Sequence, residues 1–364
     1  MFDATRKFMS AQFEMKAATK VQLVTLIVHF FFCWFFVSVL QWREVGAAMA
    51  TNITYILNMI GLELYCICDQ NLKRTYPGLP DKTAFKNIST YLEIGVPGAC
   101  MLCFEWWCFE LLAIFSGLMG VQALAAEVIV VNIVSMIFMV PLGISYSASA
   151  FTGYFLGQGK IDKARKYSRL TLCFNIFVTT VIIVFIILTR KSISSLFTQD
   201  AGTVKIVDDV FDIICYYIFF DTIHGVQSGI IRGLGLQVYG SVYTLVCYYL
   251  VGLPLALWFA FSKSKGVCGL WLGFAIACVV LDMGYLCIIE CPDWRKISER
   301  MQQKIDKERM SKVTDSVRFG RRLKDEAYAG NSATNQATKN FQRAQAIHNS
   351  AKMARRSSSK SAQQ

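Results

Sequence analysis

Histidine and proline are scarce in this chain, three and six among 364 residues, and charge is missing from long stretches of it. The C-x-x-C pair Cys100 and Cys103 has no second pair and no clustered histidines to complete a tetrahedral set, which excludes a structural zinc site. All 13 cysteines lie between Cys33 and Cys291, mostly in apolar runs, and read as reduced thiols packed like small apolar residues. No charge occurs in Leu170–Thr189 or in Gly233–Ser262. Runs of that length have no place in a water-soluble core. Ten-residue segments of alternating polarity, which a membrane β-barrel needs, are also absent. What remains is an all-helical bundle that crosses a bilayer.

A helix needs about 20 apolar residues to cross the hydrocarbon layer. Eight spans are predicted, at 19–42, 45–66, 91–117, 124–150, 170–189, 206–231, 239–262 and 267–290. Loops after even-numbered spans carry Lys73, Arg74, Lys82, Lys86, Lys160, Lys163, Arg165, Lys166, Arg169 and Arg232. Loops after odd-numbered spans carry only Arg43, Arg190, Lys191, Lys205, Lys263 and Lys265. The bias puts both termini in the cytoplasm. Residues 295–364 hold 17 Lys and Arg against 6 Asp and Glu, so nearly all of the net charge of +12 belongs to the tail. Such a segment suits anionic lipid rather than nucleic acid, and beyond a helical stretch at 294–310 it is expected to be disordered. Its Arg355–Lys360 segment has the make-up of a phosphorylation site or a lipid contact. Residues 1–20 are amphipathic and do not resemble a cleavable signal. The sequons at Asn52 and Asn87 fall in a span and on the cytoplasmic side, so neither is expected to carry a glycan.

Between Ile94 and Val121 the only charged residues are Glu105 and Glu110. A carboxylate in the middle of a lipid-embedded helix costs at least ~2.5–3.5 kcal/mol on insertion scales, and two in one helix point to a proton or cation site. Five residues separate them, about 140° around the helix axis, so they cannot both face one cavity. Glu127 is expected to be interfacial, near a helix end, and His29 and Asp282 have no evident partner. Pro97, Pro141 and Pro254 fall inside spans, where each removes a backbone hydrogen bond. Two parts of the chain also echo each other. Arg6 to Gln12 and Gly46 precede and open successive helices, as Arg232 to Gln237 and Gly269 do later, with 40 and 37 residues from Arg to Gly. The echo suggests a 6+6 helix design of which the first four helices are absent from this sequence.

The residues at these positions resemble a known family. Leu92 to Pro97 followed by Glu105-Trp106-Trp107 and Glu110 is similar to the seventh helix of eukaryotic MATE (multidrug and toxic compound extrusion) transporters. Val140 to Ser145 with Gly157-Gln-Gly159 resembles the eighth helix and its loop, Ser228 to Gln237 the tenth, Tyr248 to Pro254 the eleventh, and Gly269 to Gly273 the twelfth. Arg6 to Gln12 and Val45 to Thr54 resemble the end of the fourth helix and the sixth. Thr244 stands where many members have Asn, and Asn132 where animal members carry another acid.

The resemblance implies helices five to twelve of a two-lobed antiporter. Residues 1–66 would be the remnant of the first lobe, 67–90 the inter-lobe loop, 91–292 the second lobe and 293–364 the tail. The activity implied is export of organic cations, xenobiotics or secondary metabolites by alternating access, driven by a proton gradient without any cofactor or catalytic chemistry. Glu105 and Asp221 correspond to the coupling carboxylates, with Glu110 and His224 as candidate helpers. His224 and Ser228 follow Asp221 on one helix face. Trp106, Trp107, Gln227, Ser228, Tyr248, Tyr249 and Trp271 are candidate substrate contacts, the aromatic faces suiting a planar or quaternary cation. Burial disfavours a carboxylate's charge and an entering cation favours it, which gives exchange a physical basis. The partners expected are the substrate and membrane lipid, with a second chain if Met1 is the true start; the membrane would be the plasma membrane or a vacuolar or vesicular one. Two alternatives are a lipid-linked saccharide flippase, which would favour a cationic cavity, and a non-transporting partner or fragment.

Overall fold

The computed structural model describes residues 2–12, 14–69, 72, 75–76 and 88–329. The tail segment Arg355–Lys360, the loop cations Lys73, Arg74, Lys82 and Lys86, and Asn87 lie outside the described residues. Among the described residues these helical elements follow one another: α1 Phe2–Ala11, α2 Met15–Trp34 running into a π-helical turn at Phe35–Val39, α3 Arg43–Cys68, α4 Ile88–Met119 and α5 Val121–Gly157. Then come α6 Ile161–Phe197, α7 Ala201–Leu234, α8 Gln237–Ser262, α9 Gly266–Glu290 and α10 Trp294–Ala329. No strand occurs among the described residues. In lipid every backbone N–H and C=O must find its partner within the protein, and an uninterrupted helix does this locally.

Among the described residues seven helices are long and apolar enough to cross a membrane: Lys16–Val39, Arg43–Cys68, Tyr91–Met119, Val121–Gly157, Ile161–Arg190, Gln237–Ser262 and Gly266–Glu290. The eighth expected span, in α7, is absent from that set. At 34 residues α7 is long enough, but its core carries Asp221, His224, Gln227 and Ser228, which lower its apolar character. Nineteen of its residues are buried, including all four of these, so neighbouring helices shield it from lipid. It starts on an Asp200 cap, whose carboxylate accepts from the Thr203 N–H at 2.8 Å. It ends on Gly235, at φ 74°, whose N–H bonds Arg232 O while that of Leu236 bonds Ile231 O. This left-handed stop favours glycine.

The three prolines are handled differently. Pro97 and Pro141 sit inside unbroken α-helix. In α8, Pro254 lies between two π-helical stretches, Val246–Gly252 and Trp258–Ser262, where the wider turns absorb the lost hydrogen bond. Small residues then let α9 approach: a methyl group at Gly269 would stand 2.5 Å from the Ala260 backbone nitrogen, and one at Gly273 would meet the backbone of Ala256 still more closely. Gly269-x-x-x-Gly273 is therefore a contact of backbone on backbone.

Two compact units emerge from the chain. One comprises residues 1–153 and 166–291, and the other residues 154–165 and 292–364. Within the first, Met9, Ala17, Ala18, Leu62, Cys66 and Leu72 form the apolar centre of α1–α3. His29, expected to stand alone, bonds Thr54 at 2.9 Å, and Thr25 donates to Asn58 at 2.7 Å, tying α2 to α3. Within the second unit, Trp294 is buried beneath the Arg165 guanidinium, and the Ser298 hydroxyl donates to Leu156 O at 2.8 Å. Where disorder is expected beyond residue 310, α10 continues to Ala329. It is built largely from Lys, Arg, Gln, Glu and Met, strong helix formers that need no apolar face to favour the helix. All thirteen cysteines are free thiols.

Candidate functional site

The middle of α7 faces α4 and α9 through polar side chains. Glu105 of α4 and Asp221 and His224 of α7 place a carboxylate oxygen each and a ring nitrogen within 4.8 Å of one another, and all three are buried. His224 Nδ1 stands 3.9 Å from Glu105 Oε1 and has no hydrogen-bond partner. One turn before Asp221, the Tyr217 hydroxyl donates to Asp221 Oδ1 at 2.9 Å. Spacings of three and four residues along α7 align Tyr217, Asp221 and His224 on one face. Two acids and an imidazole at this range form a group that can hold one shared proton or small cation, since two adjacent negative charges are costly without one.

Aromatic rings wall this cluster off. Tyr217 meets Trp271 edge-on with centroids 5.1 Å apart, and Phe109 packs on Tyr217, Trp271 and Phe274. Tyr285 lies 5.3 Å from the His224 ring, and its hydroxyl bonds Thr244 Oγ1 at 2.6 Å. Trp271 Nε1 donates to Glu127 Oε2 at 2.8 Å. Glu127 is thus fully buried, not interfacial: although only the seventh residue of α5, it is drawn inward by an indole 144 positions away.

The structure brings together Glu105, Asp221 and His224, with Gln227 and Ser228 buried further along α7. Both ends of the Gln227 amide lack partners, while Ser228 donates to Gly225 O at 2.8 Å. Glu110 is exposed, on another side of α4 from Glu105, as the 140° offset requires. Trp106 and Trp107 are 40% and 57% exposed, away from the buried acids. Tyr248 is buried against Phe274, with its hydroxyl unpartnered, and Tyr249 is half-buried beside Phe104. Asn132 is exposed and donates to the Val128 carbonyl. Tyr217 and Tyr285 were missed from sequence, though the Tyr217-x-x-x-Asp221 spacing is a signal that could have found the first.

Fold and site together define a multi-pass helical membrane protein with ionisable side chains enclosed in its bundle. Residues 97–258 match the MatE family model. The chain is 32% identical over 302 residues to Protein DETOXIFICATION 16 of Arabidopsis thaliana, covering 82% of this chain and 62% of that one. It is 29% identical over 269 residues to the human Multidrug and toxin extrusion protein 1, covering 74% and 47% respectively. The solved eukaryotic MATE transporter AtDTX14 superposes with a TM-score of 0.80 at 24% identity, over 84% of this chain and 68% of that one. The chain carries a MATE-family domain at residues 97–258, and the members of that family are transporters and not enzymes. It spans about half the length of the multidrug and toxin extrusion proteins it matches.

Proposed function

We propose that this chain supplies the second lobe and two further helices of a proton-coupled antiporter that exports organic cations, xenobiotics or secondary metabolites by alternating access. The observation that carries the reading is the buried meeting of Glu105, Asp221 and His224 within 4.8 Å, with Glu105 on a helix long and apolar enough to cross a membrane. Enclosed acids of this kind hold a proton when shut away from water and release it when a cation or water enters. Competition between proton and substrate for the same negative charge then couples the two fluxes. Trp271 and Tyr248 line the aromatic wall, and Gln227 supplies an unsatisfied amide to a bound guest. No cofactor is needed, because the gradient provides the energy.

The test is flux of a fluorescent organic cation in proteoliposomes under an imposed pH gradient, with a sodium gradient in parallel. Glu105→Gln and Asp221→Asn, each present in the membrane at wild-type level, are expected to abolish pH-driven accumulation. Unchanged flux in either variant would remove that residue from the coupling site. Uptake driven by sodium alone would replace the proton in this reading.

A further inference from the structure

Asp282 lies sixteen residues into α9, and the pairing just described leaves it unused. It is 5% exposed, and both of its carboxylate oxygens are buried without a hydrogen-bond partner. No ion pair reaches it among the described residues. An ionised carboxylate in that setting has lost its water and gained nothing in exchange, a cost far above that of any neutral polar group. Static roles leave a different trace. An acid that braces two helices has a donor, as Glu127 has in Trp271 and Asp200 in Gln122.

The surroundings connect Asp282 to the known cluster. Asp221 of α7 lies in electrostatic range of it. Cys278, one turn earlier on α9, is in range of Asp282, Asp221, Glu105 of α4 and Cys247 of α8 together. Also from α8, Tyr243 donates to Val280 O at 3.0 Å, and Tyr285 of α9 is engaged with Thr244, so neither hydroxyl is given to Asp282. Arg232 of α7, which donates to the Ser145 hydroxyl at 2.8 Å, lies in electrostatic range of Glu105, His224 and Tyr285, while the charged group that reaches Asp282 itself is Asp221.

We propose that Asp282 carries an exchangeable proton of its own and is a third carboxyl group of the coupling machinery. With the interior closed it is the neutral acid. When the bundle opens, the O–H bond breaks, the proton passes to water, and the carboxylate that remains is hydrated or faces an entering cation. Reclosure reverses each step. With Asp221 nearby, two negative charges in the closed state are disfavoured, so the two acids take up protons in a linked way.

This inference rests on the antiporter reading for its role in transport, but its first test does not. A hydrophobic carbodiimide reacts with protonated carboxylic acids in lipid, and mass spectrometry locates the adduct. In the wild-type protein Asp282 is expected to be labelled, with labelling that falls as pH rises; absence of an adduct at every pH overturns the proposal. In the purified protein Asp282→Asn is expected to release one fewer proton per chain on an alkaline jump, and Asp282→Glu to restore it. In proteoliposomes Asp282→Asn should shift the pH profile of flux. An unchanged proton count and an unchanged profile would make Asp282 a passive residue. If the wild type moves no organic cation, the antiporter reading fails, while the labelling and proton count still judge Asp282.

Discussion

Replacing Gly269 by alanine tests the packing that seats the aromatic wall. The added methyl would stand 2.5 Å from Ala260 N, 2.6 Å from Phe259 C and 2.7 Å from Ala260 Cα, all backbone atoms of the π-helical part of α8. Ordinary contact begins at about 3.4 Å, so the two helices must part by close to 1 Å, or α8 must rewind. Overpacking of this kind costs about 1–3 kcal/mol, and the alanine's gain in helix propensity, near 1 kcal/mol, offsets only part of it. The same substitution at Gly143, inside α5 with nothing within 4 Å, keeps the propensity gain and should stabilise by about 0.4–1 kcal/mol. Thermal unfolding of the detergent-purified protein, scanned at one fixed rate, reads both. Gly269→Ala should melt several degrees lower and Gly143→Ala slightly higher. Equal melting temperatures, or a rise at Gly269, would refute the argument that backbone contact fixes the α8–α9 spacing.

Trp271→Phe removes the indole donor and leaves both oxygens of fully buried Glu127 without a partner, at a cost of about 1–3 kcal/mol. Thermal melting should show the loss, and Glu127→Leu in the same chain should recover much of it. The Asp200 carboxyl is held below its ordinary 3.8, first by the Thr203 hydroxyl and N–H that donate to it. Its support of the α7 start is therefore present above that ordinary value and lost as pH falls through the lowered one. Asp200→Ala should remove this part of the acid dependence of unfolding, and an identical acid limb in both proteins would contradict the cap.

Local signals in the chain were enough for seven of the eight predicted spans, because each of those satisfies its backbone by itself and needs only a run of apolar residues. Glu105 and Asp221 were visible for a related reason: a charge in such a run stands out against its neighbours. Burial that depends on a distant partner was not visible. Glu127 looked interfacial because its neighbours in sequence place it near a helix end, while Trp271 comes from the last span. Asp282 looked incidental for want of a partner in sequence, and in the fold that want of a partner is the observation behind its proposed exchangeable proton. The π-helical turns flanking Pro254 lie where Gly269 and Gly273 let α9 come close, again a relation between segments. The length of α10 beyond residue 310 was underread because a charged helix has no apolar period to reveal it.

The polarity of α7 also bears on how the chain is made. Helices enter a bilayer one after another as they leave the ribosome, and each is accepted on its own apolar character. Four acids within α7, Asp208, Asp209, Asp212 and Asp221, with His224 and Gln227 besides, make it a poor entrant by that measure. Its shelter comes partly from α9, against which it packs more extensively than any other pair of helices does among the described residues, and which emerges only after α8. During synthesis α7 must wait beside the insertion machinery, or rest loosely against α4 and α5, until α9 arrives to cover it. The helix that carries the ionisable centre is thus the last to be secured, and faults in α8 or α9 would surface first as chains with α7 left outside the membrane.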